Sequence, residues 1–321
     1  MSSWLYLFYI ILLFGGFWMY FRIAKFYQIV DLPNHRTMHD GSTIRGGGIV
    51  IFIAIAIFSL FIQPPGYYFF SGIILIGLTG FLDDLIDLSG RIRIPLQALS
   101  VFLILADLNL FDLNFALLIM VIILATGTLN AFNFMDGING MTGGYGLVTL
   151  GSLQFVNIYV YSFASNDFLY LAILALLVFN FFNFRNKAVC FAGDVGSLTI
   201  AFIIVYLIIK LISETHELSY ILFLTLYGID TIFTIIQRIF LKQNIFEAHR
   251  LHLFQVLVSN TGISHLRMSG IYMTLQVIIN FIVILVIPMA FNQQIVYLGI
   301  MLMVLSLVYV LLKRKMMSEA L

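Results

Sequence analysis

The stretch Asn130-Ala-Phe-Asn133-Phe-Met-Asp136-Gly-Ile-Asn139-Gly-Met-Thr-Gly143-Gly144 packs three Asn, one Asp and four Gly into fifteen residues of an otherwise oily chain. Carboxamides and a carboxylate beside a membrane are costly to desolvate unless something binds them. Glycine lets the backbone turn tightly and approach a ligand closely. A turn between two membrane helices would explain a single Asn-Gly or Asp-Gly pair. It does not explain the whole N-x-x-N-x-x-D-G-x-N-G spacing, because a turn needs only two or three such residues. The stretch therefore reads as a binding site at a membrane edge.

The surrounding composition agrees. The chain has 321 residues, is 62% hydrophobic and 10% charged, and has a mean hydropathy of +1.06. These values exclude a water-soluble domain and predict an all-α polytopic membrane protein, one integral-membrane domain over residues 1–321. The net charge of +1 points to no partner, and no nucleic acid is expected. The single Cys190 excludes an internal disulfide. The N-terminus lacks a basic n-region and a small-residue cleavage site, so its apolar run reads as a retained first span.

Apolar runs long enough to cross a bilayer fall at roughly 4–21, 46–62, 67–82, 94–106, 113–129, 143–161, 168–184, 198–211, 219–236, 271–289 and 295–312. They predict a bundle of about eleven helices. Across alternate connections, fifteen of the sixteen Lys and Arg fall on one side, and Lys210 alone on the other. By the positive-inside rule the rich side is cytoplasmic, the N-terminus is outside and the C-terminus is inside. Five polar clusters then share the cytoplasmic face: 34–48, 83–93, 130–144, 185–197 and 238–267.

Each cluster has its own chemistry. In the first, Arg45 precedes Gly46-Gly47-Gly48, which could offer bare N–H groups to phosphate or serve close helix packing. His35, Arg36 and His39 stand beside it and favour an anion. In the second, Asp83, Asp84 and Asp87 would lie at a helix C-terminus, where the dipole disfavours anions. If the helix continues, Asp83 and Asp87 share a face, and three repelling acids want a cation. With no His or Cys among them, Mg²⁺ or Mn²⁺ is expected rather than zinc. In the fourth, Asp194 between Gly193 and Gly196 could cap a helix or hold a metal near a diphosphate, and Phe191 could stack a base. In the last, His249, Arg250 and His252 suit phosphate oxygens better than zinc. Asp230, the only acid inside a span, could be paired with a neighbouring helix or functional.

Together these features suggest phosphoryl-group transfer between a nucleotide-linked donor and a lipid, a reaction of positioning and charge neutralisation. The competing class is a secondary transporter or lipid flippase, which would carry polar features near the bilayer midplane and repeat symmetry. Neither is visible here.

Pro33-Asn34…Arg45-Gly-Gly-Gly, Asp83-Asp84-x-x-Asp87, Asn130-x-x-Asn133-x-x-Asp136-Gly-Ile-Asn139-Gly, Phe191-x-Gly-Asp194-x-Gly-Ser197 and Asp230-Thr…Arg238…Ala248-His-Arg-x-His252 occur in a familiar order. That order resembles the polyprenyl-phosphate N-acetylhexosamine-1-phosphate transferases, glycosyltransferase family 4, over residues 30–255. The resemblance implies transfer of a sugar-1-phosphate, of the GlcNAc type, from a UDP-sugar to undecaprenyl phosphate, with Mg²⁺ and release of UMP. It implies a multi-pass protein of the bacterial cytoplasmic membrane. It makes Asp194 and Asn133 metal ligands and places Asp83 and Asp84 against the metal and lipid phosphate. Asp136, Asn139 and Phe191 would surround the uridine, and His249, Arg250 and His252 would contact diphosphate or sugar. Asp83, Asp84, Asp136 and His252 are the implied catalytic group; Arg45 and Asn130 join the substrate-binding set. Asp87, where the muramoyl-pentapeptide branch has lysine, and the spaced histidines point away from that branch. The pattern is closest to members that initiate O-antigen or other surface glycans. Asn139 stands where many members carry a second Asp. A homodimer and a one-step or two-step mechanism are left open.

Overall fold

The computed structural model describes residues 2–31, 42–61, 66–244 and 249–318. The expectations placed on Pro33–His39, Glu247 and Ala248 lie outside the described residues. Twelve α-helices follow in order among those described: α1 (Ser3–Phe26), α2 (Ile49–Phe61), α3 (Tyr67–Ile86), α4 (Gly90–Asp107), α5 (Phe115–Met135), α6 (Met141–Tyr159), α7 (Asn166–Asn183), α8 (Gly193–Thr215), α9 (Thr225–Phe240), α10 (Leu253–Thr261), α11 (His265–Val286) and α12 (Phe291–Ser318). Two strands, β1 (Val30–Asp31) and β2 (Thr43–Ile44), pair antiparallel. Each of the eleven apolar runs falls on a helix. Eight helical segments are long and apolar enough to cross a membrane, and α2 adds a shorter apolar segment. α4 and α6, which carry Arg91 and Arg93 or several glycines, fall outside that set. The short α10 lies in the long connection that was read as loop.

α8 is the centre. Its apolar window is 83% buried, whereas that of α12 is 11% buried and faces outward. α3, α5, α6 and α2 pack around α8. α8 is apolar all round, as an enclosed helix must be. Phe202 and Tyr206 of α8 meet Phe69 of α3 with ring centroids at 5.5 and 4.6 Å.

The ends of the helices set the site. α3 stops at Ile86 because Asp87 adopts a left-handed conformation (φ 49°) and returns its N–H to the Asp83 carbonyl. α5 runs through Met135, so Asn130 and Asn133 are helical and Asp136 caps its C-terminus. Gly140, at φ 80°, then turns the chain into α6.

Candidate active site

Asp84 joins three of the five clusters. Its Oδ1 accepts from the Asp194 N–H at 3.0 Å and its Oδ2 from the Val195 N–H at 3.1 Å, both in the first turn of α8. The Arg45 Nε donates to Oδ1 at 2.8 Å. Free N–H groups and the helix dipole both favour a carboxylate there. Asp83 accepts from the Leu88 N–H at 2.7 Å and from Arg93 Nη1 at 2.8 Å. Two expectations are corrected by this. Asp83 and Asp84 do not stand unanswered at a helix C-terminus, because Arg93, Arg45 and the start of α8 meet their charge. Asp87 does not share a helical face with Asp83. Its side chain is 90% exposed, 3.8 Å from Arg45.

The glycine triplet serves packing. The Gly47 N–H donates to the Phe191 carbonyl at 2.8 Å and the Gly48 N–H to the Ala192 carbonyl at 3.0 Å, so neither is left for phosphate. A Cβ on Gly48 would meet Gly196 Cα at 2.1 Å. The first and fourth clusters are thereby zipped together, backbone to backbone. Phe191 belongs to this seam, its N–H donating to the Ile44 carbonyl at 2.8 Å.

Asp194 lies where the second, third and fourth clusters meet. Its carboxylate contacts the side chains of Asp83 and Asn133, with Asp84 close by. Arg93 Nη1 is 3.8 Å away. Asn133 Nδ2 reaches Ser197 Oγ at 3.4 Å. Two carboxylates in contact require a cation or a proton between them. The oxygen-only donor set suits a hard cation that takes its remaining ligands from water and phosphate. Among the described residues, no three His, Cys, Asp or Glu side chains form a metal cluster by themselves. Asp136 faces the same centre, beside Thr142 and Gly193; burial, with Asp84 nearby, pushes its carboxyl up to about 7.

Two Asn are placed elsewhere. Asn130 Nδ2 donates to Gln97 Oε1 on α4 at 2.6 Å and to the Thr126 carbonyl at 2.9 Å, so it ties α4 to α5. Asn139 is buried, and its Nδ2 donates to the carbonyls of Arg185 and Asn186 at 2.8 and 3.2 Å. Its own carbonyl accepts from Ser269 Oγ at 2.8 Å. It locks the third and fourth clusters together through Nδ2.

The histidine cluster closes the ring. Phe134, between Asn133 and Asp136, has its centroid 6.4 Å from His249 and 6.3 Å from His252. A Cβ on Gly137 would touch Phe254 at 3.1 Å. His249 accepts the Leu251 N–H at Nδ1, and burial, reinforced by His252, Arg238 and Lys313, lowers its pKa to about 4. Arg250 lines a cavity of about 780 Å³ between α9, α10 and α12, with Phe233, Tyr309, Lys313 and Met316 among the other walls. None of Asp83, Asp84, Asp136 and Asp194 lines it. His252 is buried, its Nδ1 lying 3.2 Å from Asp230 Oδ1.

Asp230 is the centre of a network the sequence only half announces. Oδ1 also takes the Leu253 N–H at 3.0 Å, Tyr309 Oη at 3.0 Å and Thr234 Oγ1 at 3.3 Å, and Oδ2 takes Tyr272 Oη at 2.8 Å. Lys313 Nζ donates to Tyr309 Oη and Thr234 Oγ1, each at 2.8 Å. Tyr309 and Lys313 lie four apart on α12; the sequence places Tyr309 in the apolar run 295–312 and Lys313 only among the cytoplasmic basic residues. The usable signal was a lone acid inside a span, which demands partners.

The model of the glycosyl transferase family 4 matches residues 66–212, the part that runs from α3 through most of α8. A Bacillus subtilis (strain 168) protein named "Probable undecaprenyl-phosphate N-acetylglucosaminyl 1-phosphate transferase" is 27% identical over 77% of this chain and 74% of its own length. The undecaprenyl-phosphate alpha-N-acetylglucosaminyl 1-phosphate transferase of Escherichia coli (strain K12) is 26% identical over 65% of this chain and 63% of its own. The Salmonella typhimurium protein of that name is 26% identical over 62% of this chain and 59% of its own. The match thus spans less than two thirds of the length of the Escherichia and Salmonella relatives. The motif order, the acid cluster beneath α8 and these matches agree: over residues 66–212 the chain is similar to glycosyl transferase family 4.

Proposed function

We propose that this protein transfers a sugar-1-phosphate from a UDP-N-acetylhexosamine to undecaprenyl phosphate in a membrane and releases UMP. The carrying observation is the meeting of Asp83, Asp84, Asp136, Asp194 and Asn133 at one end of an apolar bundle, ringed by Arg45, Arg93 and the histidine cluster. A lipid phosphate can reach such a site from the bilayer and a nucleotide from the adjoining water. The named relatives support undecaprenyl phosphate as acceptor and N-acetylglucosamine as the sugar.

Asp194 and Asn133 would hold Mg²⁺ (or Mn²⁺), which when bound neutralises diphosphate charge and polarises the phosphoryl group. The chain supplies the rest. Arg45 and Arg93 keep Asp84 and Asp83 in place. The elevated pKa of Asp136 suits a group that exchanges a proton near neutral pH. His249 and His252 stand on the far side of Phe134, where donor or acceptor nitrogens can meet phosphate oxygens. The eleven α-helices other than α10 are proposed to span the membrane, with the site facing the cytoplasm and the N-terminus outside.

The test is UMP release by purified protein given a panel of UDP-sugars. Turnover should require both polyprenyl phosphate and Mg²⁺. UMP formed without lipid would indicate a hydrolase or a two-step route. No turnover with any UDP-N-acetylhexosamine would remove the reading.

A further inference from the structure

The hydrogen bonds around Asp230 run in one direction. Lys313 Nζ, on α12, reaches Tyr309 Oη and Thr234 Oγ1 at 2.8 Å each. An ammonium group has donors only, so both hydroxyls must accept from it. Each keeps one O–H to give; the two hydroxyls lie 3.2 Å apart, so one O–H can run between them, and the carboxylate oxygen within reach of both is Asp230 Oδ1, at 3.0 and 3.3 Å. Tyr272 Oη, 2.8 Å from Oδ2, and the Leu253 N–H, 3.0 Å from Oδ1, are further donors. Asp230 is buried and surrounded by donors, the environment of a carboxylate acceptor. His252 Nδ1, 3.2 Å from Oδ1, therefore meets a carboxylate acceptor and carries its hydrogen, a charge-assisted contact that outweighs the capping contact of its side chain with the Gln255 backbone N–H.

That choice determines the other ring nitrogen. With Nδ1 protonated, Nε2 is the atom left to accept a proton or, once protonated, to donate to an anion. Among the described residues Nε2 has no hydrogen-bond partner, although it is buried. The ring itself is fixed. It stacks on Phe254 at 5.9 Å, lies against Phe134 at 6.3 Å, and the His252 N–H bonds the Gln255 side chain at 3.3 Å. Burying an imidazole with one nitrogen saturated and the other unmatched costs stability. An added partner at Nε2 recovers that cost.

We infer that Tyr309 and Lys313 of α12 are positioning residues of the site: through Asp230 they hold His252 with Nδ1 protonated and Nε2 reserved for a substrate phosphate oxygen. α12 lies outside residues 66–212, so the helix brings to the site a device that the matched segment lacks. The substrate half of this inference rests on the transferase reading; the tautomer half does not.

Two measurements test it. The first is a double-mutant cycle on kcat and KM, with thermal unfolding run on every variant. Tyr309→Phe and Lys313→Met should each lower kcat about tenfold, as loss of an outer partner does. In a His252→Gln background the same changes should add less than about twofold, because residues acting through one group are not additive. A full additive loss there would mean that α12 only supports packing, and would overturn the inference. The second is the ¹⁵N spectrum of histidine-labelled protein, with His252 assigned by its loss in His252→Gln. The wild type should show Nδ1–H, and Asp230→Asn should abolish that preference. A bare Nδ1 in the wild type overturns the inference whatever the turnover. Nδ1–H without any sugar-phosphate transfer would instead remove the transferase reading and leave the tautomer lock standing.

Discussion

The aspartates in and beside the cluster stand in different surroundings, and their substitutions should separate accordingly. Asp84 is buried and answers both Arg45 and the first turn of α8. Asp84→Asn breaks a buried ion pair and should destabilise by about 3–5 kcal/mol, visible as lost folded protein before any kinetic effect. Asp194 is 20% exposed at the side chain, with Arg93 only at 3.8 Å. Asp194→Asn should express normally and lose on the order of 10²–10³ in kcat, with a shifted Mg²⁺ dependence. Wild-type turnover by that variant would make Asp194 a helix-terminal residue only. Asp87 is exposed in a left-handed turn that Asn also tolerates, so Asp87→Asn should stay within about threefold of wild type. His249 gives a pH signature. Its folded pKa of about 4 lies below the unfolded 6.5, so the unfolded chain binds more protons between those values. Stability should fall as pH drops through that window and level off below it. His249→Gln should flatten part of the slope in unfolding midpoints; an unchanged slope would show that another group dominates.

At the scale of elements, the apolar runs were legible because bilayer length is a simple requirement. What could not be read was how the helices end. Asp87 at a left-handed cap looks like one more helical acid until the turn is seen. Asn130 and Asn139 have the spacing of ligands, and the Nδ2 of each bonds a protein partner, because a carboxamide ties helices together as readily as it binds a nucleotide. Gly46–Gly48 could cradle an anion or admit a neighbour, and the choice depends on the chain opposite, at 190–196. The joint between Gly48 and Gly196 makes this testable. Gly48→Ala places a methyl group 2.1 Å from Gly196 Cα, against backbone that cannot yield. It should reduce the yield of folded protein sharply, by the mechanism of overpacking. Gly90→Ala, with open space around it at the start of α4, should unfold at the wild-type midpoint or slightly above. Equal behaviour of the two variants would contradict the close joint between the start of α2 and α8.

Over the whole molecule, the argument depends on which way the bundle faces. The five clusters were assigned to one compartment from charge bias alone, and in the fold they bond to one another at one end. At the opposite end Asn157, Gln154 and Asn166 form a separate polar knot, and Asp107 caps the start of α3 while accepting from Tyr206. The proposed donor, a UDP-sugar, is a soluble cytoplasmic compound, so the proposed reaction requires the acid cluster to open there. Cysteine labelling can decide this with little background. The single native Cys190 is buried, and burial, with Asp136 nearby, pushes its thiol up to about 12, so it should resist a maleimide. Ser162→Cys lies on an exposed connection between α6 and α7 and should react with an impermeant maleimide in intact cells. Lys187→Cys, exposed between α7 and α8, should react only after permeabilisation. Because α7 alone separates the two positions, the pair also tests whether that helix crosses the bilayer. Labelling of both from outside would show that it does not. Labelling of Lys187→Cys alone from outside would invert the bundle, place the acid cluster away from its donor, and defeat the transferase reading.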